Sequence, residues 1–567
     1  MAYSSKKVDI SFLIFKKLIY RMPKYNLQPF IAKKMKLHIS TNALAAAAFL
    51  SAAPLFLAAE TYYFDTNTLS SLGYSSDIMF SQSLSIENGG STVYLWYTKS
   101  EDGAKTYLTE LPNLSETGSQ GNPLHSISFG ESQAGFSRTL FFDTDINVAR
   151  IDNYATNFVP KMQSEEYSAS VGTISGHSYY TGFYGNATNL VVGDIDNASG
   201  CVTVLGDTSR PLKSLRVTGT WNIMSNGGGA RSCLYVTDTE NHGIDNPDAV
   251  INRVYASTSK QSDALLSYGI CYTSLTAAIN ADSYTWFNSF EGTAGIVVSG
   301  SESSTGTLTA VFTNSISASS NGSLWEGDRT FNRNENGGGK LALVMRSSTQ
   351  TETGEYVYLN NTQTFGGDYM GFSGGVDMIS GGLFLNYSAT GADRTHGNLK
   401  LRKAEGAQAA VFGNSAAEVG GTFVFTDLEV SDGGGSIRVR LDLNDNLDLI
   451  FDSISLTGAA AGSGEVKISF ANALGQSPED YLAFLIAESA QEGIKVISWA
   501  QAASSDIIFT TDDEYATIMH DGVEYMFSAY NGADGLYVAY VVPEPAEWAA
   551  AFGILALAAA ALRRRGR

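Results

Sequence analysis

Cysteine and paired histidines are scarce in this sequence, and their scarcity excludes several classes of protein. The three cysteines, Cys201, Cys233 and Cys271, allow at most one internal disulfide, or all three are small buried residues. The six histidines are scattered, without the HxH or HExxH spacing of zinc sites. No nucleotide-binding loop occurs, and no GxSxG motif has acidic and histidine partners in a plausible order. We therefore expect no metal, no cofactor and no catalytic residue.

Proline is missing from a long stretch of the chain, between Pro247 and Pro478, where glycine and asparagine make the turns. Because proline removes a donor from a β ladder, its absence favours stacked, hydrogen-bonded strands. No segment has the periodicity of about 3.6 residues that predicts a long amphipathic helix. Short alternating runs at Ser214–Trp221, Thr307–Phe312 and Thr422–Val430 predict strands instead.

Basic residues are few in the body of the chain. Residues 60–540 contain 23 lysines and arginines against 54 aspartates and glutamates, a net charge of −31. Such a surface repels nucleic acid and anionic lipid, so we expect no nucleic-acid partner. These 481 residues are too many for one compact domain, and they suit a solenoid or two β domains.

The clearest alternating pattern lies in the stretch Ser436–Phe451. Ile437, Val439 and Leu441 fall on one face of an extended strand, and arginines fall on the other. The polar segment 444–446 then turns the chain before the apolar alternation resumes. This pattern predicts a hairpin or two successive edges of a coil.

The last 27 residues combine three features in order. Val542–Pro545 is a stiff extended spacer, because proline constrains itself and its neighbour. Trp548–Leu562 has 15 residues without a charge, about 22 Å as a helix, which makes a weak membrane span. Four arginines follow: Arg563, Arg564, Arg565 and Arg567. By the positive-inside rule they stop membrane transfer and stay in the cytoplasm.

Three interpretations of this tail are open: a helix packed on the core, a permanent membrane anchor, or a processing signal that is removed. The arginines disfavour a packed helix, and alanine contributes little burial energy to a permanent anchor. The tail resembles the PEP-CTERM sorting signal of bacterial exosortase substrates, through Pro543, Glu544 and Pro545, the apolar span and the arginines. The resemblance implies an exosortase partner, a single C-terminal transmembrane helix, transient inner-membrane retention, cleavage near the motif, and delivery to the surface or extracellular polysaccharide.

An export signal lies downstream of the first methionine. The segment 35–59 has a basic start, an apolar run at Ala43–Leu57, and small residues before a cleavage site between Ala59 and Glu60. It predicts export through the Sec translocon. Residues 1–34 are then an upstream extension from a misplaced start, and the alternative is that they form a long basic n-region.

A second resemblance covers Gly354–Asn386. Its parts are a strand at Tyr356–Leu359, Asn361-Thr362, Phe365, a glycine turn at Gly366-Gly367, a strand at Val376–Ile379, and Gly381–Leu383 with Leu385. This segment is similar to an autotransporter-associated β-strand repeat, although Asp368–Gly375 replaces the usual threonine-rich turn. Val523–Val541 resembles the closing strands of such proteins. The resemblance implies an all-β passenger, a right-handed parallel β-helix or elongated β-solenoid, in the C-terminal half.

These patterns divide the chain into five regions: an extension (1–34), a signal peptide (35–59), a β-rich passenger (60–330), a β-helix-like region (331–540) and a sorting signal (541–567). We expect a secreted, acidic cell-surface or extracellular-matrix protein, structural or adhesive, associated with extracellular polysaccharide. The alternative is a β-helical polysaccharide lyase or glycoside hydrolase, because fold alone does not decide function. A lyase would concentrate carboxylates and cations on one face, and an adhesin would expose aromatic residues in a stripe.

Overall fold

A computed structural model describes residues 60–541, except for segments between strands, the longest of which are 66–77, 235–249, 270–281, 327–339 and 472–492. The predicted signal peptide and the predicted sorting tail lie outside the described residues. All regular structure that is described is β, so the predicted all-β class is confirmed. In this part of the chain no helix is long and apolar enough to cross a membrane.

The strands of the first half are mostly short. They are β1 Glu60–Phe64, β2 Ile78–Met79, β3 Ser85–Asn88, β4 Ser91–Tyr94, β5 Trp96–Lys99, β6 Lys105–Tyr107, β7 His125–Ala134, β8 Thr139–Phe142, β9 Ile146–Ala155, β10 Val159–Met162, β11 Ala169–Gly176, β12 Tyr180–Phe183, β13 Thr188–Asn197, β14 Val202–Leu205, β15 Leu212–Met224, β16 Arg231–Leu234, β17 Val250–Ser257, β18 Leu265–Gly269, β19 Ser283–Phe287, β20 Phe290–Gly292 and β21 Gly295–Ser299.

The second half continues in the same way. Its strands are β22 Thr307–Phe312, β23 Ser319–Glu326, β24 Lys340–Arg346, β25 Ser348–Gln350, β26 Tyr356–Tyr358, β27 Thr362–Gly367, β28 Gly375–Ser380, β29 Gly382–Tyr387, β30 Leu399–Arg402, β31 Val411–Gly413, β32 Thr422–Phe425, β33 Leu428–Ser431, β34 Gly435–Leu443, β35 Leu449–Phe451, β36 Ser453–Leu456, β37 Ala460–Gly462, β38 Gly464–Ala471, β39 Ile494–Trp499, β40 Ile507–Thr511, β41 Thr517–His520, β42 Val523–Asn531 and β43 Gly535–Val541.

Two long sheets organise these strands, one of 17 strands and one of 13. From β11 onward the chain alternates between them: β11, β13, β15 and β17 join the larger sheet, and β12, β14, β16 and β18 join the smaller. Each strand pairs in parallel with the one that entered the same sheet before it. The chain therefore returns to each sheet once per coil and lays the new strand beside the last.

Antiparallel strands lie at the two ends of this arrangement. At the start, β5 pairs antiparallel with β1 and β6 with β5. At the other end a six-stranded sheet contains the parallel pairs β32–β36 and β36–β39, followed by antiparallel β43, β42 and β41. A three-stranded sheet of β10, β8 and β2 and two separate hairpins, β3–β4 and β25–β26, complete the described strands.

The core is built from columns of apolar side chains at equivalent positions of successive coils. Ile127, Ile151, Ile174, Ile195 and Trp221 are aligned in register on five neighbouring strands of the larger sheet. None of these side chains is more than 1% exposed. Burying each stabilises the fold by about 1.5–3 kcal/mol, so the columns hold the coils together.

The length of a coil varies along the chain. Ala169 pairs with Leu190, Val217 with Ile251, and Trp286 with Val311, which are separations of 21, 34 and 25 residues. Most of the difference is taken up by the segments between strands, and register shifts within β13–β15 and β15–β17 take up a residue or two more. The larger sheet also runs without a break across residue 330, since β22 pairs with β24.

Most of the predicted strands are confirmed. Ser214–Trp221 lies inside β15, and Thr307–Phe312 has the bounds of β22. The stretch Ser436–Phe451 forms a hairpin, in which β34 and β35 pair antiparallel.

Two predictions at glycines and turns are wrong. Gly366-Gly367 is not a turn but the end of β27, paired with β29. Thr422–Val430 is not one strand but two, β32 and β33, which join different sheets. The break falls at Asp427, whose carboxylate accepts a hydrogen bond from the Ala459 amide of the next coil at 2.9 Å and so holds a corner.

Candidate functional site

The candidate site lies on the outer face of the larger sheet, the face that points away from the core columns. Successive strand residues alternate between the two faces. Phe287 and Phe312 point into the core, and their neighbours Trp286 and Val311 point outward. Val344 follows Val311 on the next strand in register. The outer face therefore carries its own apolar column.

This outer patch, formed by Trp286, Val311, Val344 and Ile379, is at most 5% exposed. It is buried because the β25–β26 hairpin folds back and packs tyrosine side chains against it. A bond from the Leu359 amide to the Ser347 carbonyl, 2.8 Å long, closes the base of the hairpin. The predicted strand at Tyr356–Leu359 thus exists, but it forms part of a cover and not of the coil stack.

A buried arginine joins the hairpin to the sheet. The guanidinium carbon of Arg346 lies 3.8 Å from the ring centre of Tyr356 and 5.8 Å from that of Trp286. The two rings are nearly parallel, with an interplanar angle of 15°. Arg346 is only 4% exposed, so these cation–π contacts form away from water, where they are strongest.

Beside the hairpin lies a cleft of about 380 Å³, lined by Tyr284, Tyr358, Arg402, Lys403 and Asp432, with Arg346, Ile379 and Ala404. Its walls come from strands β19, β24, β26, β28 and β30 and from the end of β33. From β19 to β30 the sheet adds four spacings of about 4.8 Å, roughly 19 Å in all. The cleft is therefore a groove across several coils.

A bidentate ion pair fixes the charged wall of the groove. Arg402 donates from Nε to Oδ1 of Asp377 at 2.8 Å and from Nη2 to Oδ2 at 2.6 Å. The next residue, Lys403, donates its backbone N–H to the Asp432 carbonyl, 3.2 Å away. No acidic side chain among the described residues forms an ion pair with the Lys403 ammonium, which is exposed. This end of the groove thus carries Arg402, paired with Asp377, and Lys403, which forms no ion pair with the described residues but lies near the exposed Asp432.

A second ion pair lies next to this wall. Lys400 Nζ is 3.0 Å from Glu429 Oε2, and Asn398 donates to the other carboxylate oxygen. Burial raises the pKa of Glu429, but the hydrogen bonds from Lys400 and Asn398 lower it by more, so the pKa lies below the usual value. Glu429 therefore stays ionised at neutral pH and compensates the charge of Lys400.

Aromatic and cationic side chains also meet near the start of the body. The ring centres of Tyr63 and Tyr97 are 5.3 Å apart, and those of Tyr97 and Tyr107 are 5.5 Å apart. Lys105 Nζ lies 4.5 Å from the ring centre of Tyr97, and Lys99 Nζ lies 5.2 Å from that of Tyr63. Tyr107 is 42% exposed, so this group presents aromatic surface to solvent.

A third group lies near the end of the described chain. Tyr530 and Tyr537 stack with ring centres 5.5 Å apart and planes 15° apart. Lys495 Nζ lies 5.1 Å from the ring centre of Tyr537 and pairs with Asp534. Hydrogen bonds to Asp534 and Tyr537 raise the pKa of Lys495, so this cation stays charged. Tyr530 is 42% exposed.

One arrangement has the residue types of a catalytic triad without its geometry. Ser175 and Asp152 both contact Nε2 of His177, at 3.3 and 3.1 Å. A triad needs its serine and aspartate on opposite ring nitrogens, so that one receives a proton while the other holds the ring. Asp152 is also bound by Arg150 at 2.7 Å, and His177 stacks on Tyr154. The cluster is a closed polar network.

The histidine cluster was missed in the sequence because its members lie on different coils. Ser175 is aligned with Asp152 on the neighbouring strand, although 23 residues separate them in the chain. Knowledge of the coil register is the signal that would have found it. Among the described residues, no group of three or more histidines, cysteines, aspartates or glutamates is placed to hold a metal ion.

Most of the sequence-predicted site residues lie outside the described part. These are the sorting motif Pro543, Glu544 and Pro545, the arginines Arg563, Arg564, Arg565 and Arg567, and Ala59 on one side of the predicted cleavage site. Glu60, on its other side, begins β1, and its amide donates to the Leu124 carbonyl at 3.0 Å. Of the cysteines, Cys233 lies in β16, and Cys201 and Cys271 are outside the description.

Three comparisons of this chain with known proteins gave no match. No protein-family model, no curated protein and no solved structure matches the chain.

Proposed function

We propose that this chain is a secreted, exosortase-sorted protein of the cell surface or extracellular matrix, and that its body is a right-handed parallel β-helix that adheres to extracellular polysaccharide. The parallel strands of successive coils support the β-helix. The tail with Pro543, Glu544 and Pro545 and the signal segment ending at Ala59 support export and sorting, as the resemblance implies.

One observation carries the adhesive part of the proposal: tyrosines and cations gather at three places along the body. The groups are Tyr63, Tyr97 and Tyr107 with Lys99 and Lys105; Tyr284, Tyr356 and Tyr358 with Arg346; and Tyr530 and Tyr537 with Lys495. Tyr97 and Arg346 are buried and hold their groups together. The exposed rings offer apolar faces to the C–H faces of sugars, and exposed tyrosine hydroxyls and cations bind sugar oxygens. Repeated weak sites along one chain give avidity toward a repeating polymer.

The enzymatic alternative needs carboxylates that are available for proton transfer, and the best-placed ones here are engaged. Asp377 is held by Arg402, Glu291 by Arg253 and Asp152 by Arg150. Burial raises the pKa of Glu291, but the bonds from Arg253 and Ser289 lower it by more. A general acid needs a raised pKa, so this carboxyl suits a structural ion pair better than acid catalysis.

Binding to the polysaccharide of the producing strain tests the proposal. The exported protein is mixed with that polysaccharide, and the bound fraction is measured by co-sedimentation. Replacing the exposed tyrosine of the first group and that of the third, Tyr107→Ser with Tyr530→Ser, should weaken binding about tenfold, because each lost ring contact is worth about 0.5–1.5 kcal/mol. Ile508→Ser is the matched control, since Ile508 is 62% exposed but not aromatic.

Binding that is equal for the wild type and the double tyrosine variant would contradict the assignment of adhesion to these rings. Cleavage of the polysaccharide by the exported protein, abolished by replacing one aspartate or glutamate, would establish the enzymatic alternative instead.

A further inference from the structure

We propose that the groove beside the β25–β26 hairpin binds a segment of acidic glycan, one whose sugar rings carry carboxylates. The inference rests on the proposed adhesion to polysaccharide and names the sugar chemistry of one site. It is carried by the side chains that line the groove: Tyr284 and Tyr358 offer ring surface, and Arg402, Lys403 and Asp432 offer charge.

The charge of the groove selects an anion. Three cations line the groove, Arg346, Arg402 and Lys403. Asp432 in the lining and Asp377, which binds Arg402 by two hydrogen bonds, supply two negative charges, so one positive charge remains. The guanidinium of Arg346 lies behind the tyrosines. This excess is local, because the whole chain carries a net charge of −21. A ligand carboxylate at Lys403 would gain a charge-assisted hydrogen bond, and elsewhere on this surface an anion meets repulsion.

The shape of the groove selects a sugar over a small inorganic anion. Free phosphate or sulfate has no apolar face, so it would gain nothing from the ring faces of Tyr284 and Tyr358. A pyranose ring offers C–H faces to the tyrosines and hydroxyls that donate hydrogen bonds to the exposed carboxylate of Asp432. Because the lining spans roughly 19 Å of sheet, from β19 to β30, several successive sugars fit along it.

The tyrosine wall is held in place before any ligand arrives. Tyr358 stands on a hairpin whose strands pair through Ser348 and Tyr358 and through Gln350 and Tyr356. The Tyr356 ring is fixed against Arg346 at 3.8 Å, and it stacks with Tyr358 at 6.5 Å. A preorganised wall reduces the entropy that binding costs, which is the property expected of a binding site.

Calorimetric titration of the exported protein tests the inference with two probes of the same length, oligogalacturonate and its methyl ester, which lacks the negative charges. We expect the acid to bind at least tenfold more tightly than the ester at low salt, and this preference to shrink at high salt. Lys403→Gln should remove most of the preference, and Tyr358→Leu should weaken both probes. Lys213→Gln, an exposed lysine on β15, is the matched control and should change neither.

Equal affinity for the acid and the ester, or an unchanged preference in Lys403→Gln, would overturn the inference. If oligogalacturonate fails to bind while the protein still co-sediments with the polysaccharide of its producing strain, the acidic groove is wrong and the adhesive function stands. If the oligomer binds through Lys403 but the polysaccharide does not bind, the groove stands and the adhesive function fails.

Discussion

Two glycines with almost the same backbone conformation should respond very differently to a single added methyl group. Gly434 has φ of 77° and Gly406 has φ of 79°, so alanine at either site pays about 1–2 kcal/mol for a left-handed backbone. At Gly406 a Cβ would meet nothing within 4 Å. At Gly434 it would lie 1.8 Å from the backbone oxygen of Glu465 on the next coil.

Relief of that overlap requires the two coils to separate by more than an ångström. A ladder bond stretched by that much is lost. The ladder that begins beside this site joins Gly435 to Val466, so two or three bonds at about 1 kcal/mol each are at risk. We therefore expect Gly434→Ala to cost about 3–5 kcal/mol of unfolding free energy, against about 1–2 kcal/mol for Gly406→Ala.

Urea unfolding followed by tryptophan fluorescence measures the difference. The midpoint should fall two to three times further for Gly434→Ala than for Gly406→Ala. If the Gly434→Ala variant shows no unfolding transition because it does not fold, it is still the more destabilised of the two variants. Equal midpoint shifts would refute the argument, because they would mean that the neighbouring coil yields to the methyl group at no cost.

Two further predictions concern the tail and acid stability. If the tail is a sorting signal, mass spectrometry of the surface pool should find wild-type protein without the peptide that follows the motif; Glu544→Ala should leave a full-length membrane-bound form, and Glu547→Ala should not. Tail peptides in the mature pool would indicate a permanent anchor. Because Lys400 and Asn398 hold the pKa of Glu429 below its ordinary value of 4.5, this carboxylate stabilises the fold above about pH 4.5, and the effect disappears as the pH falls through the lower folded pKa. Glu429→Gln should therefore unfold at less urea than wild type at pH 7, and the gap between the two urea midpoints should narrow as the pH is lowered below about 4.5. A gap that does not narrow would contradict this.

The strand content was predictable because alternation is a local property. Thr307–Phe312 has β-branched and apolar residues in a short run, and it became a strand with those bounds. At Thr422–Val430 the alternation changes phase at the corner: Phe423 and Phe425 are buried before it, and Leu428 and Val430 are buried after it. The polar pair Thr426-Asp427 between these runs was the local signal of the break, whereas the bond that holds the corner, from Ala459 to Asp427, spans 32 residues of the chain.

The groove was not predictable for a related reason. Tyr284 and Asp432 line the same cleft, yet they stand on strands far apart in the chain. They meet because intervening coils of unequal length each lay a strand beside the previous one in the same sheet. Unequal coils produce no fixed sequence period, so the side chains that share a surface cannot be aligned from one sequence.

The position of β43 determines how the body would carry a mechanical load. This strand, Gly535–Val541, is the last described one, and it lies between β39 and β42 with antiparallel ladders on both sides. Tension applied beyond Val541 therefore acts on an internal strand and not on an edge. To extract it, force must shear two ladders at once, whereas an edge strand would unzip one bond at a time. If the C-terminus is held and the bound polymer is pulled, we expect the fold to resist longest at β43, the strand next to the point of attachment.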